Sequence, residues 1–144
     1  GVPHLMFRMA NWRHNQVFDA RLRAILLVAH ETREGEVGRS VIELPLVRDT
    51  TALFTFTWTA MHRIDEGSPL HGPDAIDRLR AGGAQMFLTL TGIDDTIGQA
   101  IAARHVYELD DIVWNARFAD VIAVQPDGTR VVDYRNFHRF IRME

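Results

Sequence analysis

Residues 53–60 read Leu-Phe-Thr-Phe-Thr-Trp-Thr-Ala, and from Phe54 on apolar and hydroxyl side chains alternate strictly. Side chains two apart share one face of a β-strand, whereas a helix scatters them around its axis. Phe54, Phe56, Trp58 and Ala60 are therefore expected together on a buried face. Thr55, Thr57 and Thr59 fall on the other, a pattern that suits a half-buried antiparallel strand. The same period recurs along the chain. Arg21 to Ala29 alternates and then turns wholly apolar, as a strand passing from rim to core does. Val41 to Val47 places Ile42, Leu44 and Leu46 on one side. Pro45 has no N–H to give to a ladder, so that strand belongs at an edge or a bulge. Gln85–Thr91 and Ile101–Leu109 are further strands.

Turn chemistry fills the intervals. Asp120–Val124 and Thr129–Asp133 flank Gln125-Pro-Asp-Gly128, where Pro in second place and Gly in fourth suit a type I hairpin turn. One short helix is expected from Pro73, with Asp74 in its first turn, Ile76 and Leu79 on its apolar stripe and Gly82-Gly83 to stop it. Tyr134, Phe137 and Ile141 suit a C-terminal helix or a docked tail. Many short strands with one or two short helices predict an all-β sandwich occupying residues 1–144 as one domain.

Length and composition agree with a single packed core. At 144 residues, roughly two-thirds of the unfolded surface is buried on folding. There is no cysteine, which excludes disulfide staples, thiolate metal sites and cysteine nucleophiles. A net charge of -3 argues against nucleic acid as a partner. The longest apolar run, Ala24–Ala29, is far short of the roughly 18 residues that a membrane-spanning helix needs. Every cationic side chain is Arg, which favours guanidinium forks for phosphate or carboxylate.

The local chemistry is sparse. His62 and Asp65 are three apart and fall on opposite faces of a strand, so they do not share a metal. No nucleophile elbow, paired-His helix or phosphate loop occurs, and no catalytic residue is nominated. Gly92-Ile-Asp-Asp-Thr-Ile-Gly98 reads as a loop joining two strands. The acid pairs Asp94-Asp95 and Asp110-Asp111 read as solvated turn residues.

Five longer blocks carry a resemblance. Met61-His-Arg-Ile-Asp-Glu-Gly-Ser-Pro-Leu-His-Gly72 closely resembles the I-D-E-x-S-P-L signature of the cytoplasmic domain of inward rectifier potassium channels. Leu5-Met-Phe-Arg-Met-Ala-Asn-Trp-Arg13 is similar to that family's opening strand, and Asp19-Ala-Arg-Leu-Arg-Ala24 to its acid-Ala-x-x-Arg-Ala strand. Asp111-Ile-Val-Trp-Asn-Ala-Arg-Phe118 and Val132-Asp-Tyr-Arg-Asn-Phe-His138 follow in the family's order. Ala103-Arg-His105 fits the prokaryotic branch best.

The resemblance implies an immunoglobulin-like β-sandwich that hangs beneath a potassium-selective pore at the cytoplasmic face of the cell membrane. It implies a homotetramer, with the transmembrane pore domain of the same chain as partner, and a gating and assembly role without catalysis or cofactor. Asp19 matches an acid lining the cytoplasmic vestibule, where four copies would concentrate K+ and attract Mg2+ or polyamines. Thr91 stands where relatives often carry a second acid, which predicts weaker polycation block. Gly92, Ile93, Asp95 and Gly98 match the girdle loop that narrows the ion path, with Ile93 as an apolar ring and the acids turned toward neighbouring backbone or Arg. Arg13, Arg23 and Arg104 match basic positions linked to anionic phospholipid. The competing expectation is a free-standing immunoglobulin-like module with a binding or metal-dependent role, since scaffold alone does not set function.

Overall fold

The computed structural model describes residues 1–11 and 15–143. Its strands are His4–Ala10 (β1), Val17–Glu31 (β2), Val37–Glu43 (β3), Thr50–Phe54 (β4), Thr57–Arg63 (β5), Gln85–Asp94 (β6), Gln99–Glu108 (β7), Ala116–Phe118 (β8), Ile122–Val124 (β9), Arg130–Val132 (β10) and Phe140–Arg142 (β11). One short helix, Ala75–Ala81 (α1), lies between β5 and β6. All strand pairings are antiparallel, and the architecture is an all-β sandwich.

The larger layer runs β3-β2-β6-β7, with β4 also paired to β2. β2 is long enough to hold two partners on one side: its first residues pair with β4 and its last with β3. Between them the ladder is interrupted. There the Leu22 N–H donates to the Asp49 carbonyl at 2.7 Å and the Leu44 N–H to the Ala24 carbonyl at 2.9 Å. The smaller layer is the β1–β5 ribbon. Leu5, Phe7, Trp58 and Ala60 of the ribbon meet Leu22, Ala24, Leu26, Met86 and Leu88 of the large sheet in one buried cluster. α1 adds Ala75 and Leu79, with Ile76 partly buried against the same core. It ends at Gly82, and Gly83 follows with φ +61°, a left-handed stop that a side chain would strain.

Several elements differ from the sequence expectation. The alternating run 53–60 is not one strand. β4 ends at Phe54 and β5 starts at Thr57 in the other layer. Phe54 and Trp58 both face the core, ring edge to ring face at 6.1 Å, but Phe56 is exposed. The chain crosses between layers there, and the Phe56 carbonyl accepts from the Asn11 N–H at 2.8 Å. β3 covers residues 37–43 rather than 41–47, and it is an edge strand. Ile42, Leu44 and Leu46 do lie toward the core, but Pro45 stands past the strand's end. Its carbonyl accepts a hydrogen bond from His62 Nδ1 at 2.8 Å. β2 is longer than residues 21–29, and β6 and β7 run three and two residues further toward each other than predicted.

The Gln125–Gly128 turn forms, with the Gly128 N–H donating to the Gln125 carbonyl at 2.9 Å. The C-terminal segment is a 3-10 turn over Tyr134–Asn136 followed by β11, which docks on β8. Arg8 of β1 links these ribbons to the sandwich. Its guanidinium donates to the carbonyls of Ala119, Asn136 (3.0 Å) and Phe137 (2.6 Å), and lies 4.5 Å above the Phe118 ring.

Candidate functional site

Gly92, Ile93 and Asp94 are not loop residues. They complete β6, paired with β7 on one side and β2 on the other. The turn itself is only Asp95–Gly98. Alternation along β6 then sets every side chain: Thr89, Thr91 and Ile93 face outward, Leu88, Leu90, Gly92 and Asp94 inward.

This register arranges the outer face of the large sheet in rows. Leu53, Phe18 and Ile93 stand directly opposite one another across β4, β2 and β6. They are 43%, 42% and 41% exposed, a continuous apolar row at the end of the sheet. Next come Arg21, Thr91 and Ala102, then Arg23, Thr89 and Arg104. Arg23 and Arg104 are thus two strands apart, about 10 Å. A cleft of about 490 Å³ opens beside these rows, where the ladder of β2 is interrupted, and Arg21, Arg23, Glu43, Asp49, Thr89 and Thr91 line it.

Asp19 lies between the first two rows. It has φ +48°, a left-handed conformation, at a bulge where Asp19 and Ala20 of β2 oppose the single residue Gly92 of β6. Its side chain is exposed, while Val17 and Ala20 on either side are buried. So Asp19, Thr91, Gly92 and Ile93 are brought together at one end of the sheet. Asp95 and Gly98 belong to the adjoining turn, where Gly98 has φ +64°.

Asp94, the last residue of β6, and Asp95, the first of the turn, are both engaged by the segment before β2. Asp94 is 3% exposed, and its carboxylate accepts from Asn15 Nδ2 at 2.6 Å and from the Thr96 N–H at 2.8 Å. Asp95 accepts from the Gln16 N–H at 3.0 Å and returns its own N–H to the Gln16 carbonyl at 3.1 Å. The turn is therefore tied to the segment before β2.

The basic residues divide. Arg13 lies outside the described residues. Arg23 forms an ion pair with Glu43, Nε to Oε1 at 2.7 Å. That hydrogen bond raises the Arg23 pKa and holds the Glu43 carboxyl below its ordinary range. Arg104 and Arg21 have no ion-pair partner among the described residues. His62 is buried with both ring nitrogens engaged, Nε2 with Ser68 Oγ at 2.7 Å. Among the described residues no group of three His, Asp or Glu side chains is placed to hold a metal ion, and no helix is long and apolar enough to cross a membrane.

Sequence reasoning missed Phe18 and Leu53 as neighbours of Ile93. Phe18 carried a contrary signal, because it shares the alternation phase of the buried Ala20, Leu22, Ala24 and Leu26, and only the bulge at Asp19 turns it outward. Leu53 carried none, since its pairing with Phe18 is set by the break after Phe54.

The sequence model of the inward rectifier potassium channel C-terminal domain matches residues 4–144. This chain belongs to that family. It is 36% identical over 138 residues to inward rectifier potassium channel Kirbac3.1 of Paramagnetospirillum magnetotacticum, covering 96% of this chain and 46% of that protein. It is 34% identical over 143 residues to the human G protein-activated inward rectifier potassium channel 1, covering 96% and 28%. With the human ATP-sensitive inward rectifier potassium channel 10 it shares 27% over 147 residues, covering 99% and 38%. The chain thus spans less than half the length of these relatives.

Proposed function

We propose that this chain is the cytoplasmic gating and assembly domain of a homotetrameric potassium channel, working with a transmembrane pore domain of the same full-length protein. One observation carries the reading: the exposed row Leu53–Phe18–Ile93 lies beside the outward acid Asp19, at the end of the sheet where the backbone turns on Gly98. Four such ends around an axis would form an apolar constriction next to a carboxylate ring. A narrow apolar ring sheds water, and a hydrated K+ crosses it at the cost of its hydration. The carboxylates raise the local concentration of K+ and, more strongly, of Mg2+ or polyamines. Arg21 stands beside Thr91 in the next row, so the field of Asp19 is diluted, and block by polycations is weak.

Arg23 and Arg104 on one face supply two guanidinium groups for an anionic phospholipid, although Glu43 already holds Arg23. Such a domain works at the cytoplasmic face of the membrane and needs no catalysis.

Single-channel recording of the full-length protein tests the gate. Ile93→Ser wets the ring and is expected to raise open probability. Gly98→Val places a β-branched side chain at φ +64° and is expected to reduce or abolish current. Normal expression with unchanged open probability in both variants overturns the reading.

A further inference from the structure

Gly92 is buried, in a strand, and its φ is not left-handed. The freedom of glycine to flex is therefore not what the position uses. A Cβ built on Gly92 would lie 2.5 Å from Val17 Cγ1, 3.2 Å from the Phe18 carbonyl oxygen and 3.4 Å from Ala20 Cα. All three atoms belong to β2, and they bracket Asp19. Opposite Gly92 the register of β2 shifts by one residue, and Asp19 takes φ +48°. Three features thus coincide at one bulge: a ladder one residue out of step, a left-handed non-glycine residue, and a strand surface with no room for a methyl group.

We infer that Gly92 is a positioning residue for the Asp19 carboxylate. The missing side chain lets the bulge of β2 close onto β6, with Val17 and Ala20 packed inward. Closing the bulge turns Asp19 out of the ladder onto the face that carries Thr91 and Ile93. Alternation carried on from Val17 would put residue 19 inward, and alternation carried back from Ala20, Leu22 and Ala24 would put Phe18 inward; the bulge is what lets Phe18 and Asp19 both face outward between the buried Val17 and Ala20. Gly92 is also the backbone neighbour of Ile93. The acid and the apolar residue consequently ride on one seam, and a displacement of either strand moves both. This inference rests on the vestibule role proposed for Asp19 and adds what places that acid.

The test is voltage-dependent block by cytoplasmic Mg2+ in the full-length protein reconstituted in planar bilayers, with a double-mutant cycle. Asp19→Asn is expected to weaken block several-fold, because Asn keeps the left-handed backbone and loses the charge. Gly92→Ala is expected to weaken it to the same level, and Asp19→Asn added to Gly92→Ala to change it no further. Val17→Ala removes the nearest obstructing atom. Alone it is expected to leave block unchanged; combined with Gly92→Ala it is expected to restore most of it.

If Asp19→Asn weakens block and Gly92→Ala does not, the positioning role is overturned and the vestibule reading stands. If Asp19→Asn itself has no effect, the vestibule reading falls and takes the inference with it. Should Gly92→Ala fail to assemble, the Val17→Ala, Gly92→Ala protein decides. Assembly with near-normal block supports the seam, and continued failure overturns it.

Discussion

Replacing Arg8 with methionine keeps most of the stem and removes the guanidinium. That group reaches across from β1 to three backbone carbonyls of the C-terminal ribbons and lies over Phe118 and, at 5.4 Å, over Phe137. Burial lowers the pKa of Arg8, and the charge of Asp120 works against that. A hydrogen bond from a charged donor contributes about 1.5–3 kcal/mol, and an aromatic face under a cation about 0.5–1 kcal/mol where water has access. The simple sum is an upper bound. Arg8 is only partly buried, so water recovers some of the freed carbonyls, and its Nε is already buried without a partner. The lower ends of these ranges already sum to about 5.5 kcal/mol, and recovery of the carbonyls by water brings the net loss to about 3 kcal/mol, or about 6–12 °C in Tm for a domain of this size.

Urea unfolding followed by tryptophan fluorescence measures that loss. Amide hydrogen exchange locates it, with the largest loss of protection expected in β8–β11 and β9–β10 and little change at the centre of β2 and β6. Arg8→Lys should recover less than half, because one ammonium does not reproduce a planar fork. A destabilisation below about 1 kcal/mol, the worth of one ordinary hydrogen bond, or a loss spread evenly over all strands, refutes Arg8 as the tie between the two parts.

Three more expectations follow from the geometry. Ser68→Ala strips the partner of His62 Nε2 and the acceptor of the Leu70 N–H, which lies 3.1 Å from Ser68 Oγ; two buried groups left unpaired cost about 2–4 kcal/mol in urea unfolding, and a loss under 1 kcal/mol contradicts that assignment. At the bulge, Asp19→Ala should destabilise the chain by about 1 kcal/mol more than Asp19→Asn, because alanine resists the left-handed conformation that Asn tolerates; equal urea midpoints would show that the bulge relaxes. Because Arg23 lowers the Glu43 pKa, the pair's contribution is complete above the ordinary carboxylate range and is lost as pH falls through the lowered value. A carboxyl NMR titration of Glu43 should show a low midpoint that rises in Arg23→Gln, and an unmoved midpoint rules the pairing out.

Local rules served well where each element kept one environment. The short helix with its Gly-Gly stop, the Gln125–Gly128 turn and the inward set Ile42, Leu44 and Leu46 follow from propensity and period, and the structure holds them, although the helix begins at Ala75 with Asp74 as its N-cap and Pro73 outside it. The run 53–60 misled because alternation reports a face and not which sheet the face belongs to. A two-residue break carries Phe54 and Trp58 to different layers of one core and leaves Phe56 outside it. The Gly92–Gly98 segment misled differently. Glycine at both ends suggested a loop, yet Gly92 is a strand residue made glycine by the approach of Val17. Of the candidate site, the cluster of Asp19, Thr91 and Ile93 was reachable through family resemblance, but the row through Phe18 and Leu53 depends on strand register, which no single segment specifies.

The interruption between β3 and β4 bears on how such chains diverge. Residues 44–49 bridge two strands that share one side of β2 without sharing a ladder, and only the Leu44 N–H and the Asp49 carbonyl touch β2 there. Pro45, Leu46 and Val47 are held instead by β5, through the Pro45 carbonyl to His62, the Leu46–His62 bridge and the Val47 N–H to the Met61 carbonyl at 2.8 Å. Extra residues entering after Val47 therefore break none of these pairings, and they shift no register because β3 and β4 are each aligned on β2 independently. The closure entropy of a longer loop grows only slowly with its length. Arg48, between the Val47 bond to β5 and the Asp49 bond to β2, is therefore the place where this fold can take a longer chain, and with it a different shape and charge beside the cleft, while the sheet beneath stays as it is.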